Sequence, residues 1–153
     1  MLGTGNKSSH PMLSYTDGLA ASTQDFILLV ARVLGGLYFM LSGWGKIMGL
    51  SGFVAGMTKQ GVPEALAYIA PFVEFLAGLA LMLGFATRYA ALALFLFTVA
   101  APLIAHRYWT FPAEQQRPQY MSFMKNITIM AGQLALFVTG AGRFSVDRWL
   151  SRR

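Results

Sequence analysis

The chain has 153 residues, 56% of them hydrophobic and 12% charged, with a mean hydropathy of +0.52. It is too apolar for an ordinary soluble domain and too short for more than one unit, and it fits a small polytopic membrane protein. The formal charge of +6 comes from basic residues gathered between and after apolar stretches, as topology signals are, which argues against nucleic acid as a partner; the lack of cysteine excludes disulfides, thiol relays and cysteine-held clusters.

Residues 1–24 are polar, rich in glycine and serine, and have no continuous apolar core like that of a signal peptide. A flexible cytoplasmic tail is expected there, with His10 an incidental tail residue rather than a metal ligand, and Thr23 or Asp25 capping the first helix. No metal site is expected anywhere.

The first span is Phe26 to Gly45 (FILLVARVLGGLYFMLSGWG), about the length of a bilayer crossing and charged only at Arg32. Spacings of three and four put Arg32, Gly36, Phe39, Gly43 and Lys46 on one face, which points into the bundle. The glycines admit a neighbouring backbone, while Lys46, beside Trp44, reaches the interface and needs no buried partner. In residues 47–64, the recurrence of Leu50, Phe53, Val54 and Met57 predicts an amphipathic turn or two on the membrane surface.

The second span, Ala65 to Thr87 (ALAYIAPFVEFLAGLALMLGFAT), carries one charge near its middle, Glu74. A carboxylate at that depth costs several kcal/mol unless protonated, paired or wetted, so Arg32 is expected to pair with it directly. Pro71 and Gly78 flank Glu74 at i−3 and i+4 and make room for a second helix or a bend.

Arg88 lies in a very short turn, so the uncharged third span, Tyr89 to Ala105, runs antiparallel to the second. Pro102 is placed to kink it just before His106, read either as an interfacial polar residue or as a proton carrier. Residues 106–122 form the longest polar connection, with Tyr108, Trp109, Phe111 and Tyr120 at headgroup level. The fourth span runs from about Phe123 to Gly140, with Lys125 and Asn126 at its start and Gln133 hydrogen-bonding across the bundle near its centre. In the basic tail, Ser145 is placed to cap a short surface helix anchored by Trp149 and Leu150.

Lys7, Arg88, Arg143, Arg148, Arg152 and Arg153 fall on one side and Lys59, Arg107 and Arg117 on the other, so both termini are expected in the cytoplasm. Lys46, His106 and Lys125 then share the outer face with Trp44 and Trp109, a cationic, aromatic-rimmed mouth suited to an anion or a quinone headgroup. The expected fold class is all-α, an antiparallel bundle of four transmembrane helices over residues 25–150 with short amphipathic interfacial segments and a basic end at 151–153.

Three blocks in order carry a family likeness. ARVLGGLYFMLSGWGKI is the first. PFVEFLAGLALMLGFATRYAALAL, with Pro71, Glu74, Gly78, Gly84 and Arg88, is the second. GAGRFSVD, with Gly140, Gly142, Arg143, Ser145 and Asp147, closes the series. The chain resembles the DoxX family of small four-helix membrane proteins over about Phe26 to Leu150. The resemblance implies a bundle in the bacterial cytoplasmic (inner) membrane, and it links the chain loosely to redox chemistry, because the family takes its name from a subunit of a thiosulfate:quinone oxidoreductase.

Two functions follow. The chain is the membrane component of a quinone-linked oxidoreductase, for sulfur or stress-related chemistry, with Arg32 and Glu74 managing protons and Lys46 and Lys125 attracting an anionic substrate. Alternatively it is a non-catalytic membrane partner whose Arg32–Glu74 pair fixes helix register. Besides the lipid bilayer, a soluble or membrane oxidoreductase and a second copy of the chain are the expected partners. A proton-coupled exporter is a weaker third reading, since a permanent cation beside Glu74 would hold it ionised.

Overall fold

The structure, a computed structural model, describes residues 11–152. Its helices are α1 (Pro11–Met48), α2 (Leu50–Lys59), α3 (Glu64–Leu83), α4 (Thr87–Ala105), α5 (Ala113–Thr139) and α6 (Val146–Leu150), with one 3₁₀ turn at Tyr108–Thr110 and no strand among the described residues. Four of them, α1, α3, α4 and α5, are long and apolar enough to cross a membrane. The chain is therefore an all-α, four-span protein.

Packing follows chain order: α1 lies along α3, α3 against α4, and α4 against α5. The α1–α3 seam is the closest, because three glycines stand where side chains would collide. A Cβ on Gly36 would lie 2.5 Å from Gly78 O, one on Gly43 2.6 Å from Phe75 N, and one on Gly78 2.6 Å from Met40 N. Backbone meeting backbone in this way fixes the register of the two helices. Phe39, Leu81, Ala91, Leu94 and Leu136 fill the interior, while Leu34, Leu41, Leu76, Leu96 and Val138 face outward, as expected where the solvent is lipid.

The turn between α3 and α4 needs left-handed backbone at Gly84 (φ +69°) and Ala86 (φ +46°). Gly84 supplies it freely; Ala86 does not, and the tail holds it in place. Asp147 accepts the N–H groups of Ala86 at 2.7 Å and Thr87 at 2.9 Å, so it caps α4 from 60 residues away. Its own N–H donates to Gly84 O at 2.9 Å. As expected, Ser145 caps α6, accepting from Arg148 N at 3.2 Å, and the amphipathic pattern after the first span is α2, which buries Val54.

Three boundaries differ from expectation. Helix α3 ends at Leu83 rather than Thr87, so the turn is residues 84–86 and Arg88 lies in the first turn of α4 rather than in the connection. Residues 11–24 are helical rather than a tail, so neither Thr23 nor Asp25 caps α1: the Thr23 hydroxyl donates back to Leu19 O within the helix, and Asp25 accepts Arg143 N–H at 2.8 Å. Lys7 and His10 lie outside the described residues. The connection before the fourth span is also shorter, because α5 begins at Ala113 behind Pro112, whose fixed φ suits a helix start. The polar composition of 113–122 marks an exposed helical face, not a loop.

Candidate functional site

Lys46 donates to Glu74 Oε2 at 2.5 Å, and this ion pair is the centre of the α1–α3 seam. Gly43 lies opposite Pro71 and Phe75, and Gly36 opposite Gly78 and Met82, so the Glu74 backbone is deeper in the bundle than that of Lys46. A helical Cα–Cβ bond leans toward the helix N-terminus, which sends the Lys46 side chain inward along the seam to the carboxylate. The Lys46 side chain is 30% exposed and that of Glu74 only 3%. The rings of Phe53 (α2) and Phe97 (α4) flank the ammonium at 5.6 and 5.4 Å, adding cation–π attraction in a poorly hydrated place.

This corrects the expected Arg32–Glu74 pair. The glycine register that puts Gly36 beside Gly78 and Met82 carries Arg32 on to Gly84, ten residues beyond Glu74 on α3, or about 15 Å along the axis at ~1.5 Å per residue. Arg32 is fully buried there and donates from Nη2 to Phe144 O at 2.6 Å. Among the described residues its Nε and Nη1 have no hydrogen-bond partner. Arg32 thus fastens the C-terminal segment to the bundle, while Lys46, expected to need no buried partner, is the cation that pairs with Glu74.

The other expected mouth residues have separate surroundings. His106 Nδ1 meets Gln119 Oε1 at 2.8 Å, joining the end of α4 to α5. Lys125 is exposed on α5. Trp44 tilts against Phe75 at 5.7 Å, and Trp109 packs edge-on against Tyr108 and Phe123. No hydrogen bond joins Lys46, His106 and Lys125 among the described residues.

A second feature escaped sequence reasoning. Between α1 and α5 runs an apolar crevice of 330 Å³ lined in part by Leu28, Gly35, Phe39, Gly132 and Gln133. The expected bond of Gln133 across the bundle is present: Nε2 donates to Thr98 Oγ1 at 3.0 Å, and that hydroxyl donates to Leu94 O at 2.7 Å. Because the Thr98 proton is already used, Gln133 must present N–H to it, which leaves Gln133 Oε1 buried without a donor. Phe39 connects the crevice to the ion pair through its edge-on contact with Phe97 at 6.5 Å. The one signal in the sequence was the lone amide in an apolar span.

Comparison with known proteins agrees with this architecture. The inner membrane protein YqjF of Escherichia coli (strain K12) is 37% identical over 130 residues, 85% of this chain and 96% of its own length. The inner membrane protein YphA of the same organism is 36% identical over 89% of this chain and 97% of its own. A protein named "Putative oxidoreductase CatD" from Bacillus subtilis (strain 168) is 30% identical over 50% of this chain and 56% of its own. No solved structure matches the chain significantly. The DoxX family model matches residues 27–107, the stretch that contains the glycine seam and the Lys46–Glu74 pair, and the chain is a member of the DoxX family, a multi-pass membrane protein.

Proposed function

We infer that the protein is the inner-membrane component of a quinone-linked oxidoreductase and that the Lys46–Glu74 pair is its proton-handling centre. The observation that carries this reading is a carboxylate and an amine in hydrogen-bond contact inside the bundle, with the amine alone partly exposed. Lysine can release a proton where arginine cannot, so the pair can pass one between its members. The inner-membrane setting rests on the names of the two Escherichia coli relatives, and the oxidoreductase role on that of CatD.

The crevice between α1 and α5 has room for a quinone headgroup, and Gln133 in its wall is the residue that would hold it. When bound, the quinone supplies the two-electron, two-proton chemistry. The chain has no cysteine, so electrons would reach the quinone through a bound cofactor or a partner. Glu74 and Lys46 would hold a proton between Oε2 and Nζ.

A second reading, a non-catalytic membrane partner, is favoured by the glycine contacts on both sides of Glu74, which make the pair equally suited to pin helix register. Quinone reduction by the protein, purified with the partners that accompany it, decides between the two. The double variant Lys46→Met, Glu74→Leu should fold and lose quinone turnover; a folded variant with full turnover leaves the pair a register pin and overturns its assignment as the proton-handling centre of an oxidoreductase.

A further inference from the structure

At the end of the bundle that carries the described chain termini, a cavity of 440 Å³ opens beside the α3–α4 turn, with Thr87, Arg88, Gly140, Ser145 and Arg148 in its wall. Arg88 uses Nη1 to hold two carbonyls at the end of α5, Phe137 O at 2.7 Å and Val138 O at 2.9 Å. Its opposite edge, Nε and Nη2, makes no hydrogen bond among the described residues. That edge lies over Gly140, where a Cβ would stand 3.3 Å from Nη2 and 3.5 Å from Nε, so the glycine keeps the guanidinium fork uncovered. Thr87 is 1% exposed, and its hydroxyl has no hydrogen-bond partner among the described residues. The neighbouring carboxylate, Asp147, is already occupied by two backbone N–H groups.

We propose that this cavity binds the phosphate of an anionic phospholipid. A guanidinium edge held at a fixed angle, a second arginine at Arg148 and a hydroxyl without a partner match the three peripheral oxygens of a phosphate ester. The source is a lipid rather than a soluble ester because the cavity does not end at the polar residues. It shares Ala86 and Tyr89 with an apolar groove of 570 Å³ that runs along α3 and α4 past Leu83, Leu79 and Ala93. A headgroup seated on Arg88 places its acyl chain in that groove. Trp149 and Leu150, both exposed, stand at the same end of the bundle, at the level where such a lipid would lie.

Native mass spectrometry of the full chain released from detergent tests this. Phosphatidylglycerol should be retained at least tenfold better than phosphatidylcholine. Arg148→Gln and Thr87→Val, which removes only the hydroxyl, should each lower its retention at least fivefold without lowering the melting temperature, and Ala93→Phe, which fills the groove, should do the same. Arg152→Gln and Lys125→Gln should leave retention unchanged. Equal retention of the two lipids overturns the proposal. So does an equal loss in Arg152→Gln, which would make the effect that of general positive charge, or displacement of the lipid by an equal concentration of glycerol phosphate, which would make the ligand a soluble ester.

Discussion

Lys46 and Glu74 share one short hydrogen bond but not one environment, since the lysine side chain is 30% exposed and the glutamate 3%. The two single truncations should therefore differ. In Glu74→Leu the ammonium can swing to the interface, whereas in Lys46→Met the carboxylate stays in the seam without its partner. Lys46→Met should cost about 3 kcal/mol, Glu74→Leu less, and the double variant should recover most of the loss. Thermal unfolding in detergent checks the order, and strictly additive losses would show the pair to be uncoupled.

The glycine seam makes a sharper contrast. Gly36→Ala and Gly78→Ala push a methyl group into the partner backbone and should each lower stability by about 2 kcal/mol. Gly45→Ala and Gly132→Ala, where a Cβ meets nothing within 4 Å, should be neutral or stabilising by about 0.5 kcal/mol. Equal effects at all four positions would remove the seam as the determinant of register.

Those glycines also explain what could be read from the sequence and what could not. Spacing alone put Arg32, Gly36, Phe39, Gly43 and Lys46 on one face, and Arg32, Gly36, Phe39 and Gly43 are buried. Spacing gives angle around a helix; it does not give height against the neighbour. Counting residues in from assumed helix ends left an offset of roughly 6 to 10 Å between Arg32 and Glu74, within an extended guanidinium's reach, while backbone contact at Gly36 and Gly43 sets a height that brings Lys46 to it instead. The lone Gln133 and the Ser145 cap were legible because each depends on local chemistry. The reach of Asp147 back to Ala86 and Thr87 was not, because nothing near Asp147 in the chain calls for it.

Gln133 and Thr98 offer an independent test of the interior network. Thr98→Val leaves Gln133 Nε2 without an acceptor and should cost about 1–3 kcal/mol. Adding Gln133→Leu removes both unpaired groups and should return stability close to the starting value. A double variant as unstable as Thr98→Val would mean that the loss comes from packing rather than from the stranded amide.

Arg32→Met should release the tail, because Phe144 O then loses the donor that holds it at 2.6 Å. The expected result is a loss of about 1–3 kcal/mol together with faster proteolysis between Gly140 and Ser145. Unchanged cleavage would show that Asp147 and Asp25 suffice to anchor the segment.

Orientation can be tested directly. Reporter fusions at Arg88 and after Ser151 should report the cytoplasm, and one at Gln115 the opposite side, from the balance of basic residues. The reverse pattern would turn the Lys46 side of the bundle toward the cytoplasm.

Helix α1 runs unbroken for 38 residues, about 57 Å against the ~30 Å of a hydrocarbon core. No proline interrupts it after Pro11, so the turns that project past the bundle and the lysine near its far end belong to one rod. Because one continuous helix carries all of them, Arg32, the glycine seam and Lys46 keep a fixed spacing and a fixed angular relation, and none can shift along the membrane normal without the others.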